Sequence, residues 1–271
     1  MNRVAIVTGS NKGIGFSTVQ ALCKSFTGDV FLTARDDEKG SAAIKLLQGK
    51  GFNPKYHQLD VTCPNSIKEL RRSMESQYGG IDVLINNAGV KLADPTPLGV
   101  QAKVMFETNY FGTQQTCDIL LPIIKDHGRV VNVAGMIAPM SLRECSKELQ
   151  KVFRSDTITM DELNSLMNHY IARAQIGDVE EKGYSRNAYG VSKIGVTVMS
   201  RIQARKLHQE GKNSILLNAC CPGWCRTDMA GPKAPLSADQ GSVTPAYLAT
   251  LPEGANEPHG QYVASRRVKR W

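Results

Sequence analysis

Thr8-Gly9-Ser10-Asn11-Lys12-Gly13-Ile14-Gly15 is a glycine-rich run between two patterned segments. Before it lies a short apolar, β-branched stretch over 4–8. After it, about 16–26, come Val19, Leu22 and Cys23 at helical spacing. Glycines at a strand-to-helix junction let the backbone turn tightly and approach a pyrophosphate. The charge of that group then meets the open N–H groups at the helix start. The run is therefore predicted to bind a dinucleotide, and charge decides which one. An NAD site usually places a carboxylate at the end of the second strand, on the ribose 2′-hydroxyl. Here that strand end reads Leu32-Thr33-Ala34-Arg35. Arg35 and Lys12 suit a 2′-phosphate, which a guanidinium can grip through two parallel hydrogen bonds. Asp36 and Asp37 fall beyond the strand end, where they are expected to start a helix. Asp60-Val61, closing the third strand, is expected to flank the adenine. The predicted cofactor is NADP(H).

These residues need elements to hold them. Short apolar runs over 29–33, 55–59, 81–85, 128–133 and 214–219 read as further strands. Helical patterns over 37–50, 66–78, about 100–120 and 188–207 alternate with them. Strands that alternate with helices imply βαβ units and a parallel sheet, and continuous apolar strands imply helices on both faces. Right-handed crossovers then give an α/β, doubly wound parallel sheet of Rossmann type. The polar stretch over about 141–185 breaks the rhythm, with weak helical periodicity around 160–174. It is too short and too polar for a core of its own. We read the chain over 1–271 as one domain with a helical insertion there.

Bulk properties exclude several classes. No stretch approaches the roughly 20 apolar residues of a membrane span. The opening residues lack the apolar region and cleavage site of a signal peptide and read as the first strand. The seven cysteines are scattered, with no CxxC and no histidine at zinc-ligand spacing, so no metal site is expected. They read as reduced thiols in the cytoplasm, with Cys221 and Cys225 the two nearest a site. The net charge of +8 is dispersed apart from Arg266, Arg267, Lys269 and Arg270. Without stacking aromatics it points to an anionic cofactor rather than nucleic acid.

Jointly and in this order, the glycine run, Asn86-Asn87-Ala88-Gly89, Tyr189-Gly190-Val191-Ser192-Lys193 and Pro222-Gly223 resemble the short-chain dehydrogenase/reductase pattern. Gly28-Asp29-Val30, Ala93-Asp94-Pro95-Thr96-Pro97, 108–113, 218–224 and the long insertion before Tyr189 are similar to the monomeric NADPH-dependent carbonyl reductases. The resemblance implies cofactor contacts at Gly9, Asn11, Lys12, Gly13, Ile14, Gly15, Arg35, Asp60, Val61, Asn87, Ala88, Gly89, Tyr189, Lys193, Pro222, Gly223 and Thr227. It makes Tyr189 the general acid that protonates the carbonyl oxygen. A phenol with a pKa near about 10 is too weak an acid for this at neutral pH. Lys193, one helical turn on, is expected to lower that pKa and to hold the nicotinamide ribose. Asn109 is expected to anchor a water that relays protons to Lys193. A monomer is implied, because the insertion lies over helices that other members use to oligomerise.

One position departs from the pattern. The family commonly reads Asn-Val-Ser-Ser after the fifth strand, and this chain reads Asn132-Val133-Ala134-Gly135. The catalytic serine falls on Gly135, and losing one oxyanion donor typically lowers turnover about 10²–10³-fold. Three outcomes stay open. Tyr189 works alone, with a water beside Gly135; Ser141 swings in; or the protein binds NADP(H) without useful turnover, as a sensor or interaction module. Trp224, Met136 and Met140, with Tyr110, are expected to line an apolar pocket beside Gly135. The resemblance implies quinones, aromatic aldehydes and ketones, or steroid-like ketones as small-molecule substrates, with no nucleic-acid or membrane partner.

Overall fold

Four apolar residues, all fully buried, make the first strand, β1 (Val4–Val7). In the computed structural model, which describes residues 2–93 and 95–271, it lies at the middle of an eight-stranded sheet. Asp94, within one of the segments that carry the family resemblance, lies outside the described residues. β1 pairs in parallel with β2 (Asp29–Ala34) on one side and β4 (Ile81–Asn86) on the other. The order continues outward to β3 (Lys55–Gln58) beyond β2, and through β5 (Ile124–Val133) and β6 (Leu216–Cys221) to β7 (Tyr262–Ala264) beyond β4. All these pairs are parallel, as expected for the doubly wound fold. The order reverses at β1, which opens a crevice at the carboxyl ends of β1 and β4, where such sheets bind ligands. A two-residue strand, β8 (Arg267–Val268), closes the far edge antiparallel to β7. Neither of these last two strands was expected from the sequence.

Helices α1 (Gly13–Ser25), α2 (Asp37–Gly49) and α10 (Ala238–Ala249) supply helices to one face, where Leu22, Leu47 and Leu248 share a core with Val7 and Ile85. The other face carries α3 (Pro64–Tyr78) and α5 (Thr113–Leu120), with Leu70 and Leu120 packed against Ile6 and Leu84. The single helix expected over 100–120 is divided. It comprises α4 (Leu98–Phe106), a π-helical turn (Glu107–Gly112) and α5. Such turns are single-turn departures often found at functional sites, and this one carries Asn109.

The insertion contains α7 (Lys147–Arg154) and α8 (Met160–Ile176), preceded by α6 (Ile137–Glu144). α8 is entered through a capping box between Thr159 and Glu162. It has no separate core. Phe153, Leu163, Met167 and Tyr170 join Phe106, Tyr110, Val191 and Ile194 in one cluster with α4 and α9 (Ala188–Gln209). The rings of Phe106 and Tyr170 stack at 5.1 Å. No described helix is long and apolar enough to cross a membrane.

Candidate active site

The glycine turn is built for an anion. α1 starts at Gly13, three residues before the expected helix, so the turn itself forms the helix entry. Lys12 occupies the N-cap and makes no side-chain cap bond. The first N–H groups of α1 therefore stay open to a phosphate. The turn is pinned from β4. Thr8 Oγ1 accepts from the backbone N–H groups of Asn87 and Ala88, each at 3.0 Å. Asn87 Nδ2 donates to the carbonyls of Thr8 and Gly9 at 3.0 Å. Thr227 leans on the same turn, its Cγ2 3.3 Å from where a Cβ on Gly13 would lie.

Just after β2, Arg35 is exposed and its guanidinium has no partner among the described residues. Asp36 caps α2 as expected. Its carboxylate accepts from the Lys39 N–H at 3.0 Å and pairs with Lys39 Nζ at 3.0 Å, which holds it below the usual carboxylate range. It is therefore not the free acid of an NAD site. Lys12 differs from expectation: it forms an ion pair with Asp228 at 2.6 Å. Asp228 was missed in the sequence, where no spacing links positions 12 and 228. Asp60 turns one oxygen back to the N–H and hydroxyl of Thr62, and Val61 is buried at the rim of α5.

Asn109 is fully buried in the π-helical turn. Its Oδ1 accepts from the Val90 N–H at 2.7 Å, and its Nδ2 donates to the Val90 carbonyl at 3.0 Å and to Ser192 Oγ at 3.1 Å. Asn109 thus clamps the loop after β4 to α9. Lys193 Nζ donates to the Val133 carbonyl at 2.9 Å and lies beside Asn109, the two atoms flanking Gly89. Burial pushes Lys193 down to about 8, with the nearby Cys220 opposing. Tyr189 lies on the same face of α9, its ring centroid 5.8 Å from Lys193 Nζ. Its phenol is pushed up to about 12 by burial, with Cys221 acting in the same direction. The lowered tyrosine pKa expected from Lys193 is therefore not what the protein alone produces: desolvation favours the neutral form of both groups. No hydrogen bond engages the Tyr189 oxygen among the described residues, which leaves it open to a ligand.

Gly135 stands at the end of β5 with φ +128°, and a Cβ there would meet nothing nearer than Ile137 Cγ2 at 3.9 Å. There is room for a side chain, but the backbone has settled in a region that favours glycine. Ser141 does not fill the gap. It is fully buried in α6, against Gly190, and its Oγ has no partner. Met136, at the N-cap of α6, and Met140, one turn on, are 49% and 47% exposed, and Trp224 is 50% exposed. Trp224 is thus a rim residue rather than core. Tyr110 belongs to the core instead: it is fully buried, and its hydroxyl donates to Asn164 Oδ1 at 2.8 Å. Pro222-Gly223 follows β6, and Gly223 N–H donates to Cys221 Sγ at 3.3 Å. Cys221 and Cys225 are both buried and free. No group of metal-ligating side chains occurs among the described residues.

The short chain dehydrogenase family model matches residues 3–146. The rat NADPH carbonyl reductase 1 is 56% identical over 271 residues, covering 99% of this chain and 98% of its own. The human protein of the same name is 54% identical with the same coverage. Among solved structures, salutaridine reductase from Papaver somniferum superimposes with a TM-score of 0.86 at 25% identity, covering 96% of this chain and 99% of its own.

Proposed function

This chain belongs to the short-chain dehydrogenase family, and on that footing we propose that it reduces apolar carbonyl compounds with Tyr189 as proton donor and no serine at the oxyanion. It is an NADPH-dependent oxidoreductase of the carbonyl reductase kind. The protein atoms suit that cofactor. Open N–H groups at the start of α1 take the pyrophosphate, and Arg35, whose guanidinium has no partner among the described residues, takes the 2′-phosphate. Lys193 holds the nicotinamide ribose, and Asn109 fixes the loop beside it. When bound, NADPH supplies the hydride.

The residues of the chain do the rest. The Tyr189 oxygen, which no other described residue engages, hydrogen-bonds the substrate carbonyl and gives up its proton as negative charge develops there. Lys193 stabilises the phenolate that remains. The half-exposed Trp224, with Met136 and Met140, provides an apolar rim that fits flat substrates such as quinones, aromatic aldehydes and ketones, or steroid-like ketones. The insertion covers α4 and α9 and buries apolar side chains from both, which supports a monomer.

The observation that carries this reading is the pairing of Tyr189 and Lys193 beside an Asn109 that is fully engaged. The test is loss of NADPH absorbance with menadione, with Tyr189→Phe as control. Turnover that disappears in the control supports the reading. Tight NADPH binding with no turnover across a panel of carbonyl compounds favours a second reading, a non-catalytic NADP(H)-binding protein, which Gly135 motivates.

A further inference from the structure

Asn109 does more than join two elements. Its side chain bonds both the N–H and the carbonyl of Val90, so it fixes the backbone one residue before Lys91. Lys91 is exposed, and among the described residues it has no ion pair. Its Nζ stands 5.8 Å from the centroid of the Tyr189 ring, the same separation as Lys193 Nζ. The candidate proton donor is therefore flanked by two ammonium groups, one buried on its own helix and one at the solvent edge of the loop after β4. The other titratable group facing it is the thiol of Cys221 on β6. Gly135 has no side-chain donor, and the hydroxyl of Ser141 is buried against Gly190.

We propose that Lys91 is a second positive charge for Tyr189, stabilising the phenolate left by proton transfer and so compensating in part for the absent serine. This rests on Tyr189 being the proton donor. In the reduction a hydride bonds to the carbonyl carbon, and the C=O π pair moves to oxygen. That oxygen takes the phenol proton, leaving alcohol, NADP+ and the Tyr189 phenolate, which is reprotonated from solvent. A serine would share the charge on oxygen by hydrogen bonding. Without it, relief of that charge depends on how readily Tyr189 ionises. A nearby cation favours the phenolate by simple Coulomb attraction. Because Lys91 is exposed, its effect is open to screening by salt, unlike that of Lys193. Lys91 acts through Tyr189 and is in that sense a positioning residue.

The test compares wild type with Lys91→Gln and Lys91→Arg in both directions. In alcohol oxidation with NADP+, Tyr189 must be ionised, so the rate climbs with pH up to its pKa. Lys91→Gln is expected to lower kcat about three- to tenfold throughout that climb at low salt, and to move its plateau to higher pH. Lys91→Arg keeps the wild-type profile, and the Lys91→Gln deficit narrows above about 0.5 M salt as the Debye length shrinks. Labelling tyrosine with carbon-13 in the NADP+ complex, with Tyr189 identified by its loss in Tyr189→Phe, reads the same upward shift without turnover. A Lys91→Gln enzyme that changes only KM, with an unmoved pH profile and the same salt dependence as wild type, overturns the proposal. Full turnover in Tyr189→Phe overturns the underlying reading of the proton donor instead, and separates the two failures.

Discussion

Asn87 and Gly15 occupy nearly the same space: a Cβ built on Gly15 would lie 2.4 Å from Asn87 Nδ2, and within 3 Å of Ser10 Cα and the Gly9 carbonyl. The amide that pins the glycine turn to β4 and the helix whose first N–H groups stay open thus meet at a residue with no side chain. Gly15→Ala must push Asn87 off the carbonyls of Thr8 and Gly9 or tilt the start of α1. Overpacking of this kind typically costs about 1–3 kcal/mol. We expect a lower melting temperature and NADPH binding weakened more than about tenfold, since the turn and the helix start move apart. Titration of cofactor fluorescence checks the second effect, and a melt without cofactor checks the first.

Gly135→Ser would restore the hydroxyl that the family places after β5, and a serine Cβ meets no clash there. The obstacle is the backbone. At φ +128° an L residue is strained, by about 1–3 kcal/mol for sparsely populated conformations. Either the serine keeps that conformation and aims its Oγ where glycine geometry dictates, or the turn relaxes and Met136 moves with it. We therefore expect a kcat gain below about tenfold, less than the 10²–10³ that one oxyanion donor can contribute, together with a lower melting temperature. A full hundredfold gain at unchanged stability would show that the turn adapts freely and that the missing hydroxyl is the whole defect.

The sequence made the scaffold legible because both faces of the sheet are buried. β1 reads as an unbroken apolar run and β2, β4 and β6 as mostly apolar ones, and the glycine turn announced the switch from strand to helix. It was silent where side chains meet across the chain. The ion pair of Lys12 with Asp228 joins residues 216 positions apart, and no local pattern marks it. Tyr110 looked like pocket lining because aromatic residues serve either role. Its burial follows from Asn164 in the insertion, which lies far along the chain. The π-helical turn inside the helix expected over 100–120 had no marker either, since its residues suit an ordinary helix. Nor did the Tyr189-Lys193 spacing reveal that burial would oppose the ionisation of both groups.

Arg35 and Lys12 were expected to act alike on the 2′-phosphate, but the ion pair separates them. Arg35 has no partner among the described residues, so Arg35→Ala should weaken NADPH binding about ten- to hundredfold through loss of a charge-assisted, bidentate contact, and leave NADH binding nearly unchanged. Lys12 is already held by Asp228 in an exposed pair. Asp228→Asn releases it toward the phosphate, and NADPH affinity should rise by about two- to fivefold, in keeping with the small worth of exposed pairs. Lys12→Ala in the Asp228→Asn background should erase that gain. Dissociation constants of wild type and the three variants for both cofactors decide the matter, and an equal loss of NADPH and NADH affinity in Arg35→Ala would remove Arg35 from the 2′-phosphate site.

Burial of Lys193 links the site to stability through pH. Its ammonium has a pKa near about 10.4 when unfolded, and burial brings it down to about 8 in the folded protein. Between those values the unfolded chain binds a proton that the folded chain does not, so the lysine's contribution to stability rises with pH across that window. Below about 8 both states are protonated and the folded state carries the full penalty of a buried charge, of order 3 kcal/mol if the whole difference is expressed. Tyr189 has the opposite slope: the fold holds it up at about 12, so its contribution is present below the unfolded value near about 10 and is lost as pH rises through that of the folded state. Lys193→Met removes the first effect and keeps the second. Relative to wild type, the cofactor-free variant should therefore be most favoured near pH 7, with the advantage shrinking steadily toward pH 10. Melting temperatures of the two proteins over that range test this directly, and a difference that stays constant with pH would mean that Lys193 is well solvated in the folded protein.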